Sequence, residues 1–114
     1  MSLTFADLPL RKETIDALHE HGFTSPFPIQ EMVMPIALAD GDVIGQAKTG
    51  TGKTLAFGIP VIERVIAPND ADWAQLPNQG KPQVLIVVPT RELCVQVTKD
   101  VEELSFNRGI RTLA

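Results

Sequence analysis

The run Ala47-Lys48-Thr49-Gly50-Thr51-Gly52-Lys53-Thr54 constrains this chain more than any other stretch of it. Glycines at 50 and 52 let the backbone bend so that several N–H groups point inward at one anion. A helix that follows directly adds its dipole and its free N–H groups, a natural seat for phosphate. In that setting Lys53 reaches the β- and γ-phosphates of a nucleotide and the Thr54 hydroxyl ligates magnesium. The usual first glycine of the loop pattern is replaced by Ala47. With alanine allowed there, a chance match in a chain this long is roughly one in a hundred. The motif points to nucleotide binding and leaves the reaction open.

Its surroundings fit. Residues 42–46 read as a short strand with Val43 and Ile44 buried, and Leu55 to Ile66 reads as a nearly all-apolar helix containing Pro60. Residues 84–88 form an uninterrupted apolar run of the kind found in a fully covered parallel strand, stopped by Pro89. Thr90 caps the next predicted helix, where Leu93, Val97, Val101 and Leu104 mark the buried stripe. Asn107-Arg108-Gly109 is a turn, and residues 110–114 open a third strand. Strand, helix, strand, helix, strand argues for an α/β fold with a parallel sheet, flanking helices and right-handed crossovers. The chain stops inside that third strand, a poor place for a domain to end.

Ahead of the loop, Glu13 to His21 predicts a helix with Ile15 and Leu18 on one face and Gly22 as its left-handed terminator. A second helix begins near Pro28, with Ile29, Met32, Val33 and Ile36 along one face. Pro35 should kink or break it, and Asp40-Gly41 signals a turn. Residues 67–83 carry the prolines, asparagines and aspartates of a long surface loop around Trp73.

Composition narrows the classes. A net charge of -4 disfavours a protein held to nucleic acid by bulk positive charge. No apolar run approaches the ~20 residues of a membrane span, and the N-terminus lacks a secretory pattern. The single cysteine, Cys94, excludes an internal disulfide, suits a cytoplasmic setting, and reads as a core thiol. His19 and His21 read as solvated, without metal-ligand spacing.

Three segments in register resemble the DEAD-box family of RNA helicases. Phe5, Gly22-Phe23 and Pro26-Phe27-Pro28-Ile29-Gln30 are similar to that family's Q motif, with Phe27 where threonine is more usual. Residues 47–54 match its form of the phosphate loop, in which alanine at the first position is usual. Pro89-Thr90-Arg91-Glu92-Leu93, with Gln96 one turn on, is similar to its motif Ia. The resemblance implies a partial RecA-like domain: a helical Q-motif region over residues 1–41, then the N-terminal part of the ATP-binding domain over 42–114.

It also implies the site. ATP and magnesium are the expected cofactors, held by Lys48, Thr49, Gly50, Thr51, Gly52, Lys53 and Thr54, with the metal on Thr54. The Gln30 amide, donor and acceptor together, would pair with the adenine N6 amine and N7. Phe5 would stack on the base; its rival role is a core side chain. Thr90 and Arg91 would meet an RNA phosphate, giving sequence-independent binding; the rival is a plain helix cap with a surface arginine. The implied activity is RNA-stimulated ATP hydrolysis coupled to local duplex opening. Because the Asp-Glu-Ala-Asp segment is absent from these residues, the chain alone is expected to be an inactive N-terminal fragment. The alternatives are a nucleotide-binding or self-associating module without catalysis, or another phosphate-loop ATPase.

Overall fold

The computed structural model describes residues 4–46, 53–77 and 79–114. Their regular elements are helical: a 3-10 turn at Phe5–Asp7, α1 at Lys12–Glu20, α2 at Pro28–Leu38, α3 at Lys53–Arg64, a 3-10 turn at Trp73–Gln75 and α4 at Arg91–Leu104. Helix α2 packs on α3, α3 on α4, and α1 on α4. Phe5, Leu18, Met34, Ile59, Ile62, Val97, Val101 and Leu104 meet in the core between them. Each helix thus contributes apolar side chains from one face, as burial of an amphipathic stripe requires.

The helix ends follow local chemistry. In α1, Gly22 has φ +82°, and the Gly22 and Phe23 N–H groups donate to the His19 and Leu18 carbonyls at 3.0 and 2.8 Å. That is the Schellman arrangement expected from a glycine at this position. Helix α2 ends the same way with Asp40 at φ +64°: Asp40 N–H donates to Ala37 O at 3.2 Å and Gly41 N–H to Ile36 O at 2.9 Å. The Arg64 guanidinium lies 2.8 Å from the Asp40 carboxylate and ties this turn to the end of α3.

Two helices run through their prolines, Pro35 in α2 and Pro60 in α3, so of the kink or break expected at Pro35 the break does not occur. Each proline costs one main-chain bond, which packing on the neighbouring helix offsets. The buried face of α2 also differs from expectation. Gln30, Val33 and Met34 point inward, whereas Met32 is 72% exposed and Ile36 47%. Apolar residues occupy nearly every position from 32 to 38, so the period alone fits more than one face; contact with α3 selects one. On α4 the stripe begins at half-buried Cys94 and continues through Val97, Val101 and Leu104, and Leu93 is exposed.

The expected parallel sheet is not present among the described residues. Segments 42–46, 84–88 and 110–114 have no strand assignment, and no backbone hydrogen bond joins any two of them. The apolar run 84–88 is covered on one side only. Ile86 and Val88 pack against the helical core, while Leu85 and Val87 are 87% and 83% exposed. The alternation is that of extended chain lying on helices. Ile44 and Leu113 are likewise exposed.

Candidate functional site

Lys53 is the first residue of α3 and is exposed to solvent; half-buried Thr54 follows it. Helix α3 begins two residues earlier than the apolar pattern alone suggested, which puts the lysine and the hydroxyl in its first turn. There the free N–H groups and the positive end of the helix dipole favour an anion. Ala47, Lys48, Thr49, Gly50, Thr51 and Gly52 lie outside the described residues, so their cradle stays an expectation.

The chain enters that segment along α2. A Cβ placed on Gly45 would lie 3.1 Å from Val33 Cγ2 and 3.4 Å from Ile29 Cδ1, so the chain at Gly45 passes close to the N-terminal half of α2. Gln30 belongs to the same half. It is 1% exposed, and its Oε1 accepts the Phe27 N–H at 2.9 Å while its own N–H donates to Phe27 O at 2.9 Å. Gln30 therefore closes the first turn of α2 in the manner of the N3 residue of a capping box.

Phe5 is 1% exposed and belongs to the core cluster, and its N–H donates to Thr24 O at 3.2 Å. It anchors the chain ahead of the Pro26–Gln30 segment. Stacking on a base would require the ring to leave the core. Thr90 and Arg91 lie exposed at the start of α4, where Thr90 Oγ1 accepts the Leu93 N–H at 3.2 Å. Packing of α3 on α4 makes the helix that opens with Lys53 and the helix that opens with Arg91 neighbours. His19 is exposed as expected, but His21 is engaged. Its Nδ1 is 2.8 Å from the Ala17 carbonyl, its Nε2 is 3.9 Å from the Glu103 carboxylate, and its ring meets Phe106 edge-on.

Residues that sequence reasoning missed join the other ends of these helices. Arg108, read as a turn residue, is 4% exposed. Its Nη1 donates to the Ile62 carbonyl, and its Nη2 donates to Val65 O at 2.8 Å and to Asp70 Oδ2 at 2.6 Å. The loop expected over residues 67–83 is accordingly fastened down. Asp70 also accepts the Ala67 N–H at 2.7 Å and faces Arg11 at 3.3 Å. The Gln83 amide pairs with both the N–H and the C=O of Ile66 at 2.9 Å. Glu63, on α3, accepts from Thr14 Oγ1 and from the Arg11 N–H, fixing α1 against α3.

Burial pushes the Asp70 carboxyl up, but the Ala67 N–H and the charges of Arg108 and Arg11 outweigh it and hold the group below its ordinary value. Asp100 on α4 is shifted the other way, by burial and the neighbouring Glu103 charge, with Lys99 opposing.

A lysine–hydroxyl pair opening a helix directly after a glycine-rich segment is the pattern of the phosphate-loop class of proteins. The family model for DEAD/DEAH box helicase matches residues 27–114, and the chain belongs to that family. It is 42% identical over 110 residues to the DEAD-box ATP-dependent RNA helicase CshA of Geobacillus kaustophilus, a match covering 96% of this chain and 21% of that protein. This chain therefore spans about a fifth of the length of that relative.

Solved structures agree. A DEAD box protein from the hyperthermophile Methanococcus jannaschii superposes with a TM-score of 0.76 at 33% identity, covering 99% of this chain and 28% of that one. The RNA-helicase Prp28 from Chaetomium thermophilum, bound to ADP, gives 0.73 at 34% identity over 91% of this chain and 24% of that one. Among the described residues, no helix is long and apolar enough to cross a membrane.

Proposed function

We propose that this chain is the ATP- and RNA-binding part of an ATP-dependent RNA helicase. The observation that carries the reading is the exposed Lys53, with Thr54 beside it, in the first turn of a helix preceded by a glycine-rich segment, in a chain of the DEAD/DEAH box family. Lys53 holds the β- and γ-phosphates, together with Lys48, Thr49, Gly50, Thr51 and Gly52. The Thr54 hydroxyl, a hard oxygen donor in that same turn, fits magnesium. Magnesium held there with ATP would supply positive charge to the phosphates. Gln30 chooses adenine over guanine. Thr90 and Arg91 take the RNA backbone without reading sequence.

The proposed division is a Q-motif region at 1–41 and the N-terminal part of a RecA-like domain at 42–114. In that arrangement segments 42–46, 84–88 and 110–114 pair as strands of a parallel sheet within a longer protein. Closure of two such domains over RNA would then bend one strand and open short duplexes. The 114 residues contain no Asp-Glu-Ala-Asp segment. The reading therefore assigns binding to this chain and turnover to a longer protein in a cytoplasmic setting. RNA-stimulated ATPase from the purified 114-residue chain would refute that assignment.

Calorimetric titration with magnesium-ATP and magnesium-GTP tests the site. Lys53→Ala should weaken ATP binding at least about tenfold, the loss of one charge-assisted contact. Gln30→Ala should narrow the preference for ATP over GTP. Unchanged binding in the first variant overturns the reading.

One observation favours a second reading, self-association. Ile44, Leu85, Val87 and Leu113 leave apolar side chains exposed on extended segments without ladder partners among the described residues, and such edges recruit other chains. Light scattering that shows only monomer at high concentration would exclude it.

A further inference from the structure

We propose that Phe27 is the ring on which the base of the nucleotide stacks, a role that falls to it in this chain because Phe5 is committed to the core. The proposal rests on the reading of Lys53 and Gln30 as the nucleotide site and adds a contact to it.

The two phenylalanines differ in what they can offer a ligand. Phe5 is 1% exposed and packed among Leu18, Met34 and Ile59, whereas Phe27 is 47% exposed. Phe27 also stands where threonine is more usual, so this position brings no hydroxyl. What it presents instead is the face of an aromatic ring. A purine carries a π face of its own, and stacking removes both faces from water.

The backbone holds that ring in one place. Phe27 lies between buried Pro26 and Pro28. A residue that precedes proline is confined to extended backbone, and Phe27 has φ -73° and ψ 162°. Its N–H donates to Gln30 Oε1 at 2.9 Å, and its carbonyl accepts the N–H groups of Gln30 and Glu31 at 2.9 and 3.0 Å. A ring carried on so constrained a turn loses little further freedom when a ligand covers it.

Its position suits the base end of a nucleotide. Phe27 caps the helix that carries Gln30, and the two residues are tied to each other directly. The chain leading to the glycine-rich segment passes close by: a Cβ on Gly45 would lie 3.4 Å from Cδ1 of Ile29, two residues beyond Phe27. Helix α2 packs on α3, whose first residue is Lys53. Stacking is tolerant of base identity, because every base has a π face. Phe27 therefore supplies affinity, and the choice between adenine and guanine stays with Gln30.

The test uses the 114-residue chain as wild type, Phe27→Leu, Phe27→Trp and Phe106→Leu. Leucine keeps apolar bulk and removes the ring. Magnesium-ATP affinity is measured by calorimetry, and the proton spectrum of bound ATP reports stacking, since a ring current moves the adenine protons upfield. Phe27→Leu should weaken ATP binding about tenfold and abolish the upfield shift. Phe27→Trp, with a wider face, should bind ATP at least as tightly as wild type. Phe106→Leu removes another exposed ring, the one beside His21, and should change neither readout.

An ATP affinity within about 2-fold of wild type in Phe27→Leu, or an upfield shift that survives in it, overturns the proposal while the nucleotide site stands. Wild type that binds no ATP overturns both. Should Phe27→Leu fail to fold, Phe27→Trp decides: weaker binding than wild type counts against stacking, and equal or tighter binding with the shift retained supports it.

Discussion

Arg108 and Asp70, 38 residues apart in the chain, are joined at 2.6 Å in a setting where the arginine side chain is 2% exposed and the aspartate 18%. The pair closes the loop after α3 onto the turn after α4. Truncating the arginine leaves Asp70 with one cation fewer and the Ile62 and Val65 carbonyls without their donor. Breaking such a pair from one side costs about 3 kcal/mol or more, mainly because polar groups stay buried and unpaired. Arg108→Ala should lower unfolding free energy by about that amount in urea titration. A loss below ~0.5 kcal/mol would mean that the contact contributes no more than an exposed ion pair.

Acid should reach the same contact from its other side. The folded Asp70 carboxyl titrates below its unfolded value, so its contribution is complete above the unfolded value and is lost as pH falls through the folded one. The stability difference between wild type and Asp70→Asn should therefore be largest near neutrality and shrink through the acid range. A difference that grows on acidification would contradict the assignment.

Asp100 should show the opposite sign. Its folded carboxyl is raised by burial and by Glu103, so the charged form is disfavoured in the folded state and stability falls as pH rises through the folded value. Asp100→Asn should stabilise the chain near neutral pH, with the gain fading in acid. Thermal melts across that range measure it.

Gly41 tests the end of α2. A Cβ there would lie 2.8 Å from Ile36 Cγ2 and 2.9 Å from the Ile36 carbonyl oxygen, and the latter is backbone. Gly41→Ala must shift the turn that Arg64 holds through Asp40, at about 1–3 kcal/mol, the usual cost of forced overpacking. Gly22→Ala has open space around it and only its φ of +82° against it, so about 1 kcal/mol is expected. Denaturation midpoints that rank the two the other way would show that backbone strain outweighs the clash.

Thr90 has two proposed roles that one variant can separate. Thr90→Ala removes the N-cap of α4, about 1 kcal/mol of stability. Thr90→Asn keeps a capping oxygen and removes the hydroxyl. RNA affinity, read by filter binding at fixed salt, should fall in both variants if the hydroxyl meets phosphate, and only in the first if its role is confined to the helix.

The amino-acid sequence by itself determined what lies within a few residues of its cause. Gly22 ends α1 because only that residue type turns left-handed freely, and Thr90 caps α4 through an N–H three residues on. Lys53 and Thr54 open α3 next to a glycine-rich segment, and the family is readable from motifs that local chemistry keeps together. Tertiary structure decided the rest. Which face of α2 is buried depended on contact with α3, because apolar residues are present on several faces and period alone chooses none. Phe5 entered the core, and 84–88 came to be covered on one face instead of two, because burial is fixed by neighbours distant in sequence. Arg108 could not be told from a surface turn residue until Ile62, Val65 and Asp70 were brought around it. A guanidinium in the interior is stable only with acceptors on its fork, and those come from residues about forty positions away, a distance no local pattern encodes.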